Sequence, residues 1–305
     1  MTTDVVALCA EKIDPYTTEA RRLLHGRGHC YPDYEHLVVN WYPPYLHIGC
    51  YGGETLAELE PFIDRLLTAL DTRCDIQGVV VQFRDGRATH AKIYRGQVPE
   101  EITVTEHGLK YLLQPARNQN AGLFLDMGHI RAWLAERVSG KRVLNLFAYT
   151  CAFSVSAVAH GASLVVNNDM SKNALEWGRR NHELNGHDLR KVRMIPHNLF
   201  KSWWKVKQYG PYDVLIIDPP TNQRGSFVAE KSYGQVLKRI PELAEQGATV
   251  LACLNSPFLA EDFLAQQMAK WCPDCRFVER LPQHEDFPDK YPERALKVLH
   301  YTYAG

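Results

Sequence analysis

The stretch VLNLFAYTCAFSV, residues 143–155, holds a short apolar run, a turn and the start of an apolar helix. An apolar run of this length is typical of a strand that is buried on both faces of a parallel sheet. Similar runs recur along the second half of the chain, at residues 163–170, 192–195, 212–220 and 249–255. Because helix-like segments separate these runs, the pattern predicts an α/β fold with a doubly wound parallel sheet.

The segments between these strands carry helix start and stop signals. Ser171 can cap a helix that ends at Asn185-Gly186. Further helices are expected at residues 153–161, 231–247 and 259–271, the second with a bend near Pro241. Two last strands, residues 276–281 and 295–303, have no long helix between them, so they predict an antiparallel end to the sheet.

The first part of the chain shows a different pattern and predicts a smaller α+β domain over residues 1–121. A short helix is expected at 17–26 and an amphipathic helix at 54–70. Strands are expected at residues 37–42, 45–51, 78–86, 89–96 and 101–114. The domain boundary is placed near Asn120-Ala121-Gly122, so that residues 122–305 form the α/β domain.

Composition excludes several classes of protein. The 305 residues are 45% hydrophobic and 23% charged, which is the range of globular chains rather than disordered or collagenous ones. The 35 basic and 35 acidic residues balance, so any nucleic-acid surface must be local. No apolar run is long enough for a membrane span and the first residues lack a signal-peptide pattern, so a cytoplasmic protein is expected. No metal is expected, and Cys272 and Cys275 are interpreted as a helix-to-strand turn rather than a zinc or redox site.

Three strand ends carry candidate ligand contacts. The turn after the first strand, residues 148–152, has no glycine, which disfavours a pyrophosphate and leaves ligands such as S-adenosylmethionine (SAM) open. Asp169 ends the second strand, where an acidic side chain can accept hydrogen bonds from ribose hydroxyls. Asp218 is followed by Pro219 and Pro220, whose stiff turn would hold its carboxylate at the ligand-binding edge of the sheet.

These three stretches resemble class I SAM-dependent methyltransferases that modify the 23S RNA of the large ribosomal subunit. The resemblance is carried by VLNLFAYTCAFSV, VVNNDMSKNALEWGRRNHELNG and DVLIIDPPT, and by residues 106–131 before them. The group contains an I type, which makes 5-methylcytosine, and a K type, which makes 7-methylguanine. The resemblance implies a Rossmann-like class I sheet with an antiparallel last strand.

The resemblance also implies roles for individual residues. Asp169 would hold the ribose, and Asn198 stands where relatives often carry an aspartate that reaches the adenine amino group. Relatives usually have glycine where Cys151 and Ala152 stand here. The remaining cofactor contacts implied are Phe147, Ala148, Tyr149 and Thr150 at the methionine end, Met170 and Leu199 near adenine, and Asp126 and Arg131 at the amino-acid end.

The end of the fifth strand bears on the choice of base. Formation of 5-methylcytosine needs a cysteine thiolate, and Asn255 stands where we align the nucleophile of the cytosine-modifying relatives. Cys253, two residues earlier, is either an alternative nucleophile or a small buried core thiol. Guanine N7 is itself nucleophilic and bears no proton, so it needs only positioning. Asp218 and Asn255 could hold the base edge, and Phe287 could stack on the base or be a core aromatic.

A basic segment supports RNA as the partner. Residues 189–212 contain six basic and no acidic side chains, interleaved with aromatic residues. Arg190, Lys191 and Arg193 are the predicted RNA contacts, although the segment could also be a solvated surface. The sequence therefore predicts a 23S rRNA methyltransferase acting on guanine N7. The alternatives are 5-methylcytosine formation through Cys253, a small-molecule methyltransferase, and an RNA-binding module without catalysis.

Overall fold

The computed structural model describes residues 4–84, 89–117, 119–223 and 227–305. The chain forms two compact units. One contains the residues up to Gly128 together with His284–Tyr291, and the other contains His129–Gln283 with Pro292–Gly305. The boundary that we predict at residues 121–122 lies inside the first unit, and the sequence pattern does not indicate the return of residues 284–291 to it.

The first unit has a mixed five-stranded sheet among its described residues. Its strands follow the chain in spatial order and pair antiparallel, except for the parallel pair of the third and fourth. These are β1 Arg21–His25, β2 Leu37–Tyr42, β3 Tyr45–Cys50, β4 Gly78–Arg84 and β5 Thr89–Gly96. Helices α1 Val5–Glu11 and α2 Leu56–Leu70 accompany this sheet, and β6 Ile102–Glu106 and β7 Leu109–Leu113 form a separate antiparallel hairpin.

One expectation about the first unit is wrong, and one helix has no counterpart among the expectations. Residues 17–26 do not form a helix, because residues 21–25 are strand β1, whose Leu23 and Leu24 are buried in the core. Pairing with β2 overrides the weak local preference for helix. The helix α1 was missed, although Asp4 caps it by accepting hydrogen bonds from the amides of Val6 and Ala7.

The second unit is built on a seven-stranded sheet of described residues. Its strand order is β10-β9-β8-β11-β14-β16-β15, and only β16 runs antiparallel to its neighbours. The strands of this unit are β8 Arg142–Leu146, β9 Leu164–Asp169, β10 Val192–Pro196, β11 Tyr212–Ile217, the short antiparallel pair β12 Asn222–Gln223 and β13 Phe227–Val228, β14 Ala244–Leu254, β15 Cys275–Arg280 and β16 Lys297–Tyr303. This is the predicted doubly wound sheet with an antiparallel last strand.

The helices of this part of the chain are α3 Gly128–Ala135, α4 Ala152–Ala159, α5 Lys172–Leu184, α6 Trp203–Lys207, α7 Ala229–Leu237, α8 Ile240–Leu243 and α9 Phe263–Trp271. The predicted helix over 231–247 is wrong at its end, because Ala244 already begins β14 and pairs with Tyr212. The predicted turn at Cys272 and Cys275 is confirmed, since Cys272 caps α9 and Cys275 starts β15. Within the described ranges, no helix is long and apolar enough to cross a membrane.

The topology places several loops at one edge of the second sheet. Strands β8, β9, β11 and β14 are parallel, so the loops that follow them leave the same edge. The strand order reverses between β8 and β11, which are hydrogen-bonded neighbours. In open α/β sheets, ligands bind at this edge and beside this reversal.

Candidate functional site

The loop that follows β8 has an unusual backbone for residues with side chains. Phe147, Tyr149 and Cys151 have φ angles of 60°, 48° and 61°, in the left-handed region that favours glycine. Each residue in this conformation lowers the folding stability by about 1 kcal/mol or more, and the conformation persists only where the surrounding structure holds it. The glycine-free sequence thus reaches a backbone shape that glycine would adopt without strain.

Hydrogen bonds from β9 hold this loop. The amide of Ala148 donates to the carbonyl of Asn168 at 3.0 Å, and the amide of Tyr149 donates to Asp169 Oδ2 at 3.0 Å. From α5, the buried side chain of Asn181 donates through Nδ2 to the carbonyl of Thr150 at 3.0 Å. Asn181 is a positioning residue that the sequence analysis missed, since an asparagine in a helix carries no local signal of its partner.

Asp169 lies at the junction of the loop and the end of β9. Burial raises the pKa of its carboxyl group, while hydrogen bonds from the amides of Ser171, Tyr149 and Met170 oppose that shift. The Ser171 amide donates to Oδ1 at 2.8 Å and the Tyr149 amide donates to Oδ2, so each oxygen accepts at least one backbone hydrogen bond. A carboxylate has about four acceptor positions, so three backbone amides leave part of this capacity for the hydroxyl groups of a ligand.

A pocket opens beside Asp169 and brings together five of the predicted cofactor contacts. Its walls are Phe147, Asn168, Asp169, Met170, His197, Asn198, Leu199 and Phe200. Met170 is 44% exposed there, which is a large exposure for an apolar side chain. Asn198 Oδ1 accepts a hydrogen bond from the Phe200 amide at 3.0 Å, so this acceptor already caps a short 3-10 turn.

Asp126 and Arg131 were predicted as a pair at the amino-acid end of the cofactor. Asp126 belongs to a 3-10 turn in the first unit, and Arg131 lies on α3 in the second. Arg131 is buried, with its guanidinium 5.7 Å from the ring centroid of Phe153. Its burial against an aromatic ring provides a structural role besides the predicted ligand contact.

The loops after β11 and β14 carry the predicted catalytic residues and are tied together. Asp218 is half-buried, Pro219 is buried, and Pro220 and Asn255 are exposed. The hydroxyl of Thr221, next to Pro220, donates to the main-chain carbonyl of Asn255. The structure therefore joins the loop of Asp218 to the loop of Asn255.

Tyr233 of α7 fixes the strand ends just before these loops. Its buried hydroxyl donates to the carbonyl of Cys253 at 2.9 Å and lies 3.3 Å from the carbonyl of Ile217. Burial raises the pKa of this hydroxyl well above its usual value, so it stays a donor. The sequence predicts a helix around Tyr233, but no local signal indicates this contact.

The thiol of Cys253 is fully buried within β14. Burial, and then the charge of Asp218, raise its pKa well above the ordinary value of a cysteine. The neutral thiol is therefore the stable form, and its position is that of a packed core side chain.

Lys297, at the start of β16, is only 1% exposed. Its Nζ donates to the carbonyl of Ser256 at 3.4 Å and to that of Ala295 at 3.2 Å. Since Lys297 pairs with Leu254 across the strands, it lies beside the end of β14 and holds the loop that follows. A lysine in an apolar strand was not recognised from the sequence as a support for this loop.

The predicted RNA contacts lie on and before the edge strand β10. Arg190 is exposed and forms a salt bridge of 2.9 Å with Asp188. Asp188 directly precedes residues 189–212, which contain no acidic side chain. Lys191 is exposed, and Arg193 donates to the carbonyl of Arg190 at 2.8 Å. Further along, Trp204 is 65% exposed beside Lys205. The segment is a basic surface with an exposed aromatic ring.

Phe287 lies in the first unit rather than on the sheet edge of the second. Its ring is buried, with the guanidinium of Arg22 at 4.5 Å and the ring of His25 at 5.0 Å from its centroid. The structure therefore places Phe287 as a core aromatic and does not present it as an exposed stacking surface.

Comparisons with known proteins agree with this architecture. Residues 21–302 match the family of S-adenosylmethionine-dependent methyltransferases. A ribosomal RNA large subunit methyltransferase I of Aeromonas salmonicida is 29% identical over 273 residues, covering 84% of this chain and 68% of that protein. The protein of the same name from Escherichia coli O139:H28 is 31% identical over 245 residues, covering 75% of this chain and 62% of that protein. The chain thus spans about two thirds of the length of these relatives.

The solved structures show the same fold. A protein of Streptococcus mutans described as a SAM-dependent methyltransferase has a TM-score of 0.82 at 21% identity, covering 98% of this chain and 80% of that one. The predicted fold class and the predicted cofactor, SAM, are both confirmed. Because the family match extends over most of both units, the chain belongs to the S-adenosylmethionine-dependent methyltransferases.

Proposed function

We propose that this chain transfers the methyl group of SAM to a base of 23S ribosomal RNA, and that the accepting atom is guanine N7. The observation that carries the choice of atom is the burial of Cys253. Its thiol is fully buried near the end of β14, and this burial raises its pKa, while Asn255 and Asp218 stand on the loops that follow β14 and β11.

The cofactor would bind in the pocket beside Asp169. The carboxylate of Asp169 would accept from the ribose hydroxyls, and Met170 and Leu199 would contact the adenine. Asn198 would present its amide to the adenine edge. The loop of Phe147, Ala148, Tyr149 and Thr150 would surround the methionine end of SAM.

Guanine N7 needs little chemistry from the protein. Its lone pair lies in the plane of the base and can attack the sulfonium methyl directly, with no proton to remove. Asp218 can accept hydrogen bonds from guanine N1–H or N2–H, and the Asn255 amide can hold the same base. Positioning of the two reactants then supplies most of the rate enhancement.

Large-subunit rRNA as the substrate is supported by two observations. The curated relatives are named ribosomal RNA large subunit methyltransferases. The basic segment over residues 190–207 combines exposed cations with Trp204, as phosphate and base contacts require.

A second candidate, 5-methylcytosine formation, is favoured by the names of the relatives, which are of the I type. This reaction needs a thiolate that attacks C6 of cytosine. Cys253 would have to lose its proton against burial and the nearby charge of Asp218, and its strand would have to open toward the base. The described geometry therefore favours the guanine product.

The experiment is methyl transfer from tritiated SAM to unmodified 23S rRNA transcripts, followed by identification of the labelled nucleoside. The proposal expects 7-methylguanosine, retained activity in Cys253→Ala, and loss of activity in Asp218→Ala. Production of 5-methylcytidine, with loss of activity in Cys253→Ala and a covalent complex on 5-fluorocytidine RNA, would replace the proposal with the second candidate. No methylation of rRNA by the folded, SAM-binding wild type would refute both.

A further inference from the structure

We infer that Phe258 is a stacking surface for the target base, a specificity-determining contact in the loop that follows β14. The inference rests on the proposed function, because it assigns an RNA base to this ring. Phe258 is 90% exposed, and it lies three positions after Asn255. An exposed aromatic ring on the loop that carries the predicted base-edge contact offers a splayed-out nucleotide a stacking surface.

Hydrogen bonds hold the backbone of the loop that carries Phe258, although the Phe258 ring is exposed. The Phe258 amide donates to Ser256 Oγ at 3.3 Å, and Ser256 is fully buried. The Ser256 carbonyl accepts from the buried ammonium of Lys297 at 3.4 Å. Thr221 donates to the carbonyl of Asn255 on the other side. These hydrogen bonds hold the loop backbone, which reduces the ordering cost of a contact with the exposed ring.

Stacking supplies a constraint that the edge contacts lack. Hydrogen bonds of the base to Asp218 and Asn255 act in the plane of the base and leave rotation of that plane poorly restrained. Attack by a ring nitrogen requires its lone pair to point along the line of the sulfonium–methyl bond. An aromatic ring on one face of the base fixes the plane while leaving the reacting edge open. It would also favour an unstacked base over one within a helix.

The test compares Phe258→Ala with Phe258→Tyr and Phe258→Trp. Methylation of unmodified 23S rRNA is measured as kcat and KM, and SAM affinity is measured by calorimetry. We expect Phe258→Ala to lower kcat/KM by about ten- to a hundredfold, the range for loss of one base–aromatic stack. Tyrosine and tryptophan should restore most of it, and SAM affinity should be unchanged in all three variants.

Phe277→Ala is the matched control, since Phe277 is also exposed but lies within the edge strand β15. Its kcat/KM should stay within twofold of the wild type. Equal activity of Phe258→Ala and the wild type would overturn the inference, as would failure of the aromatic variants to restore activity. Loss of SAM binding in Phe258→Ala would also overturn it, because the ring would then act on the cofactor.

The failure of the inference can be told apart from failure of the proposed function. If the wild type binds SAM but methylates no rRNA, the proposed function fails. The affinity of wild type and Phe258→Ala for unmodified 23S rRNA is then compared with S-adenosylhomocysteine present. Weaker binding by Phe258→Ala supports the stacking contact, and equal binding refutes it.

Discussion

The side chain of Cys151 occupies the space that any side chain at residue 178 would need. A Cβ atom built on Gly178 would lie 2.4 Å from Cys151 Sγ and 2.7 Å from its Cβ. The two positions are therefore coupled through one shared space. The loop after β8 thus keeps a side chain at a left-handed position, and helix α5 is left without one at the facing position.

Gly178→Ala is expected to destabilise the protein by about 1–3 kcal/mol, the usual cost of overpacking a filled space. In a Cys151→Gly background the same change should cost clearly less, because the two nearest atoms are gone and only the backbone carbonyl carbon of Thr150, at 3.2 Å, stays in tight contact with the new Cβ. Thermal unfolding of the two single variants and the double variant measures this coupling. Additive effects would show that the two residues do not compete for the same space.

Asp169→Ala is expected to weaken SAM binding at least about tenfold. Each hydrogen bond from a ribose hydroxyl to a charged acceptor contributes about 1.5–3 kcal/mol, and about 1.4 kcal/mol corresponds to one decade of affinity. Calorimetric titration with SAM measures the effect, with circular dichroism to verify folding. Unchanged affinity in a folded variant would refute the ribose assignment.

SAM affinity is expected to decrease on acidification at a higher pH than an ordinary aspartate would produce. Burial raises the pKa of Asp169, and the carboxylate is the form that accepts hydrogen bonds from hydroxyl groups. As the pH falls through this raised pKa, the free protein gains a proton that SAM must displace, so affinity declines. Asp169→Asn should bind more weakly at neutral pH and lack this pH dependence. An identical pH profile in wild type and Asp169→Asn would assign the titration to another group.

The raised pKa of Asp169 also affects folding. Its protonated form is favoured in the folded state, so its contribution to stability is fully present below the pKa in the unfolded chain. That contribution is lost as the pH rises through the raised pKa of the folded state.

Tyr233→Phe is expected to lower kcat without changing the affinity for SAM. It removes the donor to the Cys253 carbonyl just before the Asn255 loop, leaving that buried carbonyl without this hydrogen bond at a cost of about 1–3 kcal/mol. Single-turnover methyl transfer and calorimetry measure the two effects separately. A matched control is Tyr212→Phe, because the hydroxyl of Tyr212 donates to the carbonyl of Val206 instead. If both variants lose activity equally, Tyr233 has a general role in stability.

Asp286→Asn is expected to destabilise the first unit by about 2 kcal/mol, because two cations would lose a buried partner. Asp286 accepts from Arg21 Nε at 2.7 Å and pairs with Lys12 at 3.0 Å. Burial alone would raise the pKa of Asp286, but these two cations outweigh it and lower the pKa. Its stabilising contribution is therefore present above the pKa of aspartate in the unfolded chain and is lost as the pH falls through the lowered pKa. Urea unfolding of wild type and variant between neutral and acidic pH should show their stabilities converging.

Local sequence was sufficient to predict the α/β unit and much of its candidate site. Apolar runs, the cap at Ser171 and the prolines after Asp218 are signals contained in a few consecutive residues. They predict strands and loops, and parallel topology then brings Asp169, Asp218 and the loop after β14 to one edge of the sheet. The fold class follows from the same periodicity.

Only the tertiary structure determined the burial and the packing partners of these residues. Whether Cys253 is a nucleophile or a core thiol depends on burial by strands far away in sequence, and Phe287 is covered by Arg22 and His25 of the first unit. Residues 244–247 extend a strand instead of a helix because Ala244 pairs with Tyr212. Local patterns depend on backbone periodicity, which neighbouring residues determine. Burial, pKa and the facing partner depend on distant segments of the chain that come together only in the folded state.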